Sequence, residues 1–200
     1  MHTRLFWVDT ETTGFDSRNH FAFQIAYLIE ENGSVLAQRS LEMRPDHCGP
    51  YGPFEFSKRA EEVHGWTRER ILGLPPESER YPELLADLAE FGQNRLTVAG
   101  YNVEFDIRFL KGLFYRNKAA DSKHVCGDYY RYFDGLPFDV LQFAQGCRIA
   151  GLLPLPSLRL ETICAHFGLD LFGAHSAMKD ILNTKAVFEK LRGLGNGGLT

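Results

Sequence analysis

The chain lacks any apolar run near the ~18 residues that a bilayer-spanning helix requires, which excludes a membrane-spanning helix of ordinary length. Its N-terminus, MHTRLFWVDTETTG, lacks the long apolar core of a secretory signal and meets an acidic residue at Asp9. The four cysteines (Cys48, Cys126, Cys147 and Cys164) form no C-x-x-C pair and show no Cys/His zinc spacing, so neither a disulfide framework nor a zinc ribbon is expected. Reduced thiols and a cytoplasmic location are the reading that follows. Positive charge is also short, with 22 Lys and Arg against 26 Asp and Glu, a formal net charge of −4. That argues against a protein that coats long stretches of nucleic acid, though an enzyme gripping only a strand end needs fewer phosphate contacts. Aromatic residues, by contrast, are plentiful: sixteen Phe and eight Tyr in 200 residues point to a packed core.

Periodicity divides the chain into a mixed α/β pattern without repeats. Residues 4–8 (RLFWV) form an apolar run that stops at Asp9 and read as a buried strand closed by Asp9-Thr10-Glu11, and FQIAYLIEENGSVLAQRSLEMRP reads as two strands turning at Asn32-Gly33, a strong hairpin signal. The segment 45–57, dense in Pro and Gly, reads as an irregular loop. Helical spacing begins at Lys58. Pro82 suits a first helical position, and Leu84, Leu88 and Phe91 then repeat up to Gly92. LTVAGY (96–101) is a further strand, a helix follows through FDIRFLKGLFYRN, and 118–137 reads as a long polar loop. FDVLQFA (138–144) offers another short strand and SLRLETICAHFG a helix. Ala177, Ile181, Thr184, Phe188 and Leu191 mark a final amphipathic helix. One α/β domain with helices on both faces of a mixed sheet is expected over 1–193, with a glycine-rich tail, 194–200, lacking regular structure.

Carboxylates gather at the boundaries of these elements. Asp9 and Glu11 stand two apart on a strand, so both side chains share a face, and hard cations such as Mg²⁺ prefer such oxygen ligands. Alone, the triplet reads better as a solvated strand end. Asp106 sits among apolar neighbours at the start of a helix, where either a metal or the helix dipole would hold it. His175 and Asp180 can converge only if His175 precedes the last helix and Asp180 projects from its first turns, with Ser176 as the N-cap. Together, four carboxylates and a histidine are the complement of a two-metal site.

VDTETTG (8–14), YNVEFDIRFL (101–110) and HSAMKD (175–180) resemble, in order and spacing, the three motifs of the DnaQ-like DEDDh 3′→5′ exonucleases. VHGWT (63–67), FDVLQFA (138–144) and LPSLRLETICAHFGLD (155–170) extend the likeness to roughly 5–193. The resemblance implies an RNase H-like mixed sheet, its first three strands antiparallel and the later ones parallel. It implies hydrolysis of phosphodiesters from a 3′ end with release of nucleoside monophosphates, DNA more than RNA, in a repair or polymerase-associated setting whose partner the sequence does not name. It also implies that Asp9, Glu11, Asp106 and Asp180 bind two Mg²⁺ or Mn²⁺ ions and that His175 is the general base. Thr12, Thr13, Gly14, Phe15, His64 and Asn102 would lie against the substrate, with packing an equal reading for Phe15 and Trp66. Tyr101 stands where many members carry histidine, and Ile181 where alanine often follows the aspartate. Two other readings stay open: an exoribonuclease acting on oligoribonucleotides, and a non-catalytic nucleic-acid-binding module.

Overall fold

The computed structural model describes residues 4–46, 53–118, 127–170 and 176–194. Three strands, β1 (Arg4–Thr12), β2 (Ala22–Glu31) and β3 (Ser34–Glu42), form the expected antiparallel meander. The β2–β3 turn places both Asn32 (φ 53°) and Gly33 (φ 84°) in the left-handed region, as a twist-matched two-residue hairpin requires. β4 (Thr97–Gly100) joins β1 in parallel, and β5 (Phe138–Asp139) joins β4 in parallel, giving the order β3-β2-β1-β4-β5.

Alternation along β1 divides the core into two layers. Phe6 and Val8 point to one face with Ile25, Tyr27 and Ile29 of β2. They pack on Leu84 and Leu88 of helix α3 (Glu77–Phe91) and on Leu110, Leu113 and Phe114 of helix α4 (Glu104–Arg116). Trp7 points to the other face with Ala26 and Leu28. That face is covered by α6 (Val140–Ile149), α7 (Leu160–His166) and α8 (Ala177–Leu194) through Ala144, Ile163, Cys164, Ile181, Val187 and Leu191. A smaller cluster of Phe21, Phe23 and Ile71 ties the short helices α1 (Lys58–His64) and α2 (Arg68–Leu72) to the end of the sheet.

β1 runs through Thr12, and Asp9 to Glu11 close it as expected, in register with Ala26 to Gln24. Three expectations need correction. α3 starts at Glu77, five residues before Pro82. Its start is held by tertiary contacts: the buried Glu77 carboxylate accepts from Arg116 of α4, and Asp46 accepts from the Ser78 N–H. FDVLQFA is mostly helix, since Asp139 accepts from the Leu141 N–H and caps α6 after a two-residue strand. The polar segment 118–137 ends in the short helix α5 (Tyr129–Tyr132), whose Tyr129 and Tyr132 enter the core with Phe133. Cys147 and Cys164 are buried free thiols. Cys48, Cys126 and the tail beyond Leu194 lie outside the described residues, and no helix among those described is long and apolar enough to cross a membrane.

Candidate active site

The period of two sends Asp9 and Glu11 to the face that α8 covers, while Thr10 between them points to the α4 face. Asp180 is the fourth residue of α8, whose first turn is fixed by the Asp180 N–H donating to the Ser176 carbonyl. Gln24, paired with Glu11 across β1 and β2, anchors that turn to the sheet. Its side-chain oxygen accepts from the Ala177 N–H at 3.4 Å, and its amide donates to Glu42 at 3.1 Å. As a result Asp9, Glu11 and Asp180 each offer a carboxylate oxygen within 4.8 Å of the others. Ligand atoms around a hard cation with metal–oxygen distances of ~2.1–2.5 Å stand up to ~4–5 Å apart, so this donor set fits Mg²⁺, Mn²⁺ or Ca²⁺.

Asp106 enters from the other side of β1. It is buried on the first turn of α4 and accepts a 2.8 Å hydrogen bond from the Thr10 hydroxyl. It is not one of the three carboxylates whose oxygens cluster within 4.8 Å, yet its charge acts on both Asp9 and Glu11. The acids are therefore held against their preference. Burial, then the Asp180 and Asp106 charges, push Glu11 up to about 8. Burial raises Asp106 to about 7 despite the Thr10 bond, and Asp9 is raised well above the ordinary range by burial and by Asp106, Asp180 and Glu11. A divalent cation would relieve this repulsion. His175 lies outside the described residues.

Beside the acids lies a cavity of about 160 Å³ lined by Thr10, Glu11, Thr12, Gly14, Phe15, Ala60, Val63, His64 and Phe105. At ~30 Å³ per water this is the room of about five waters, enough for one ring system and too little for a base pair. Phe15 is 63% exposed, and its ring meets Phe105 edge-on at 6.4 Å, so the two rings form an open aromatic wall. Packing alone does not describe Phe15. Trp66, in contrast, packs on Phe23 and under Arg70. His64 closes α1, and its Nδ1 accepts from the Trp66 N–H at 2.9 Å. The proton of a neutral ring therefore sits on Nε2, and burial lowers the pKa of this imidazole. A Cβ at Gly14 would lie 2.2 Å from the His20 ring, so a larger residue there requires that ring to move.

Two of the sequence-selected substrate residues stand elsewhere. Thr13 is buried and serves the turn: its N–H donates to the Phe21 carbonyl, its hydroxyl accepts from the Phe21 N–H, and its carbonyl accepts from the Ser57 N–H. Asn102 takes a left-handed φ of 58°, and its N–H donates to Asp139, in a separate cleft that Tyr101, Leu158 and Arg159 also line. The Tyr101 hydroxyl bonds the Leu158 carbonyl there. Sequence reasoning missed Thr10, Gln24 and Phe105 as parts of the site. Phe105, in the residue before Asp106 and beside an exposed Phe15, was the one with a readable signal.

A family model described as Exonuclease (RNase T) matches residues 6–188. The chain belongs to this exonuclease family. It is thus a nuclease of the DnaQ-like DEDDh group with an RNase H-like fold. The chain is 27% identical over 187 residues to the DNA polymerase III subunit epsilon of Aquifex aeolicus (strain VF5), covering 92% of this chain and 78% of that protein. Among solved structures, E. coli exonuclease I in complex with a dT13 oligonucleotide matches with a TM-score of 0.72 at 21% identity over 95% of this chain. The zinc-bound exonuclease I–ssDNA complex from E. coli matches with a TM-score of 0.69 at 22% identity over 96%. The chain spans 41% of each of these exonuclease I chains.

Proposed function

We propose that the protein hydrolyses the terminal phosphodiester at the 3′ end of DNA, single-stranded or frayed, releasing nucleoside monophosphates. The carrying observation is the three-carboxylate cluster standing beside a pocket sized for one ring system. Asp9, Glu11, Asp106 and Asp180 would hold two divalent cations, Mg²⁺ or Mn²⁺, with the catalytic domain extending over 1–193. Bound there, such ions supply positive charge against the phosphate and a more acidic water.

The remaining work falls to the chain. Phe15 and Phe105 would take the terminal base against their rings, and His64 would donate its Nε2 proton to the nucleotide. Thr12 and Gly14 shape the floor of the pocket. Thr10 orients the Asp106 carboxylate, and Gln24 fixes the α8 turn that carries Asp180. His175, assigned by its motif, would accept the proton of the attacking water, for which an unperturbed pKa near 6.5 is suitable. Water oxygen bonds to phosphorus, the P–O3′ bond breaks, and the departing O3′ takes a proton from solvent, so that the shortened strand leaves with a 3′-hydroxyl. A preference for DNA draws support from the single-stranded DNA in the exonuclease I complexes, and a polymerase partner from the name of the epsilon relative.

A time course on 5′-labelled DNA and RNA oligomers of one sequence, with Mg²⁺, Mn²⁺ or EDTA, tests the reading. The expected result is a DNA ladder shortening from the 3′ end, abolished by EDTA and in Asp9→Ala and Asp180→Ala. Faster shortening of RNA would favour the exoribonuclease reading. Intact strands under every metal would overturn both.

A further inference from the structure

We propose that the outer face of α4 is the track on which the strand behind the terminal nucleotide lies, gripping single-stranded nucleic acid by alternating rings and cations. The face begins at Phe105, which walls the pocket, and continues through Arg108, Lys111, Tyr115 and Lys118. Arg108, Lys111 and Tyr115 follow one another at three or four residues and share a side of α4, with Phe105 at one edge of that side and Lys118 just past the helix end at Arg116. At ~1.5 Å per residue the helix from Phe105 to Arg116 is about 16 Å long, which holds a few nucleotides.

Each cation on the row lies over a ring. The Arg108 guanidinium is 5.9 Å from the Phe105 centroid, and the Lys118 ammonium is 4.7 Å from that of Tyr115. The Lys111 ammonium is 5.2 Å from the ring centroids of both Tyr129 and Tyr130 of α5. Tyr130 is 50% exposed and Tyr115 39%, so both keep surface free for stacking. None of the three cations forms an ion pair within the described residues, whereas Arg116 on the same helix is taken up by the buried Glu77. In a protein of net charge −4, these three cations stand along the helix against one exposed acid of α4, Glu104. Cations spaced along a row of rings match the phosphates and bases of a single strand, since every base offers a face and every linkage a charge. An acidic peptide would meet the cations but leave the rings unused.

The inference rests on the exonuclease reading only for the direction of the strand, its 3′ end in the pocket. Binding of 5′-fluorescein dT2 and dT10 is measured by anisotropy in EDTA, with cleavage of both measured in Mg²⁺, for wild type, Lys111→Gln/Lys118→Gln and Tyr130→Ser. Wild type is expected to bind dT10 more tightly than dT2. The double variant loses on the order of tenfold in dT10 affinity, and its slope of log K against log salt flattens by about 1.4, two contacts at ~0.7 each. Its handling of dT2 stays at the wild-type level, which a folding defect would not allow. Unchanged dT10 binding and salt slope in the double variant, or equal competition by polyglutamate, overturn the track. Wild-type protein that binds dT10 through these residues yet cleaves nothing leaves the track standing and removes the proposed reaction.

Discussion

Asp9, Glu11 and Asp180 repel one another in the absence of a cation, and that repulsion has a pH signature. Glu11 titrates at about 8 in the folded protein against 4.5 for the ordinary carboxyl. Between those values the folded state keeps a proton that the unfolded chain has released, so stability falls as pH rises through that window. In EDTA, Glu11→Gln is therefore expected to melt above wild type at pH 8 and level with it near pH 4.5. Each kcal/mol appears as ~2–4 °C in a domain of this size. Adding Mg²⁺ should stabilise wild type more than the variant, which a pair of melting curves checks. The spacing of Asp9 and Glu11 and the early-turn position of Asp180 were legible because strand and helix periods dictate them. Thr10 was not: it points away from its neighbours, and its hydroxyl acts on the site through Asp106, 96 positions on. Gln24 was hidden likewise, since its partner Ala177 is 153 positions away.

Among the elements, the β2–β3 hairpin and α8 read directly from local pattern, and α3 did not. Its expected start at Pro82 follows local rules, but Glu77 with Arg116 and Ser78 with Asp46 begin the helix earlier. Pro82 is left exposed inside the helix, without an N–H for the Ser78 carbonyl. Pro82→Ala restores that donor and is expected to stabilise the protein by ~1–3 kcal/mol, read as a higher urea midpoint. A lower midpoint would mean that the bend at Pro82 is itself needed for packing. Glu77→Ala acts in the opposite direction. It strands the Arg116 guanidinium, which is 7% exposed, and a loss of ~3–5 kcal/mol is expected in the same urea titration.

At the scale of the molecule, the acids straddle β1: Asp9, Glu11 and Asp180 stand on the α8 side, and Asp106 stands on the α4 side. Neither layer holds the full set, so both must be docked for the centre to exist. Leu113→Ala in one layer and Leu191→Ala in the other should each cost ~2–5 kcal/mol. In both variants, nuclease activity and far-UV circular dichroism are expected to vanish at one urea concentration. Activity lost first in Leu191→Ala alone would show α8 undocking by itself. The distance along the chain between Glu11 and Asp180 carries a further consequence for biosynthesis. At ~5–20 residues per second, a ribosome needs roughly 10–35 s to travel from one to the other. Throughout that interval the emerging polypeptide, tethered beside its own messenger, is chemically inert. Assembly of the centre from the first strand and the last helix of the domain keeps the newborn chain harmless until α8 has been made.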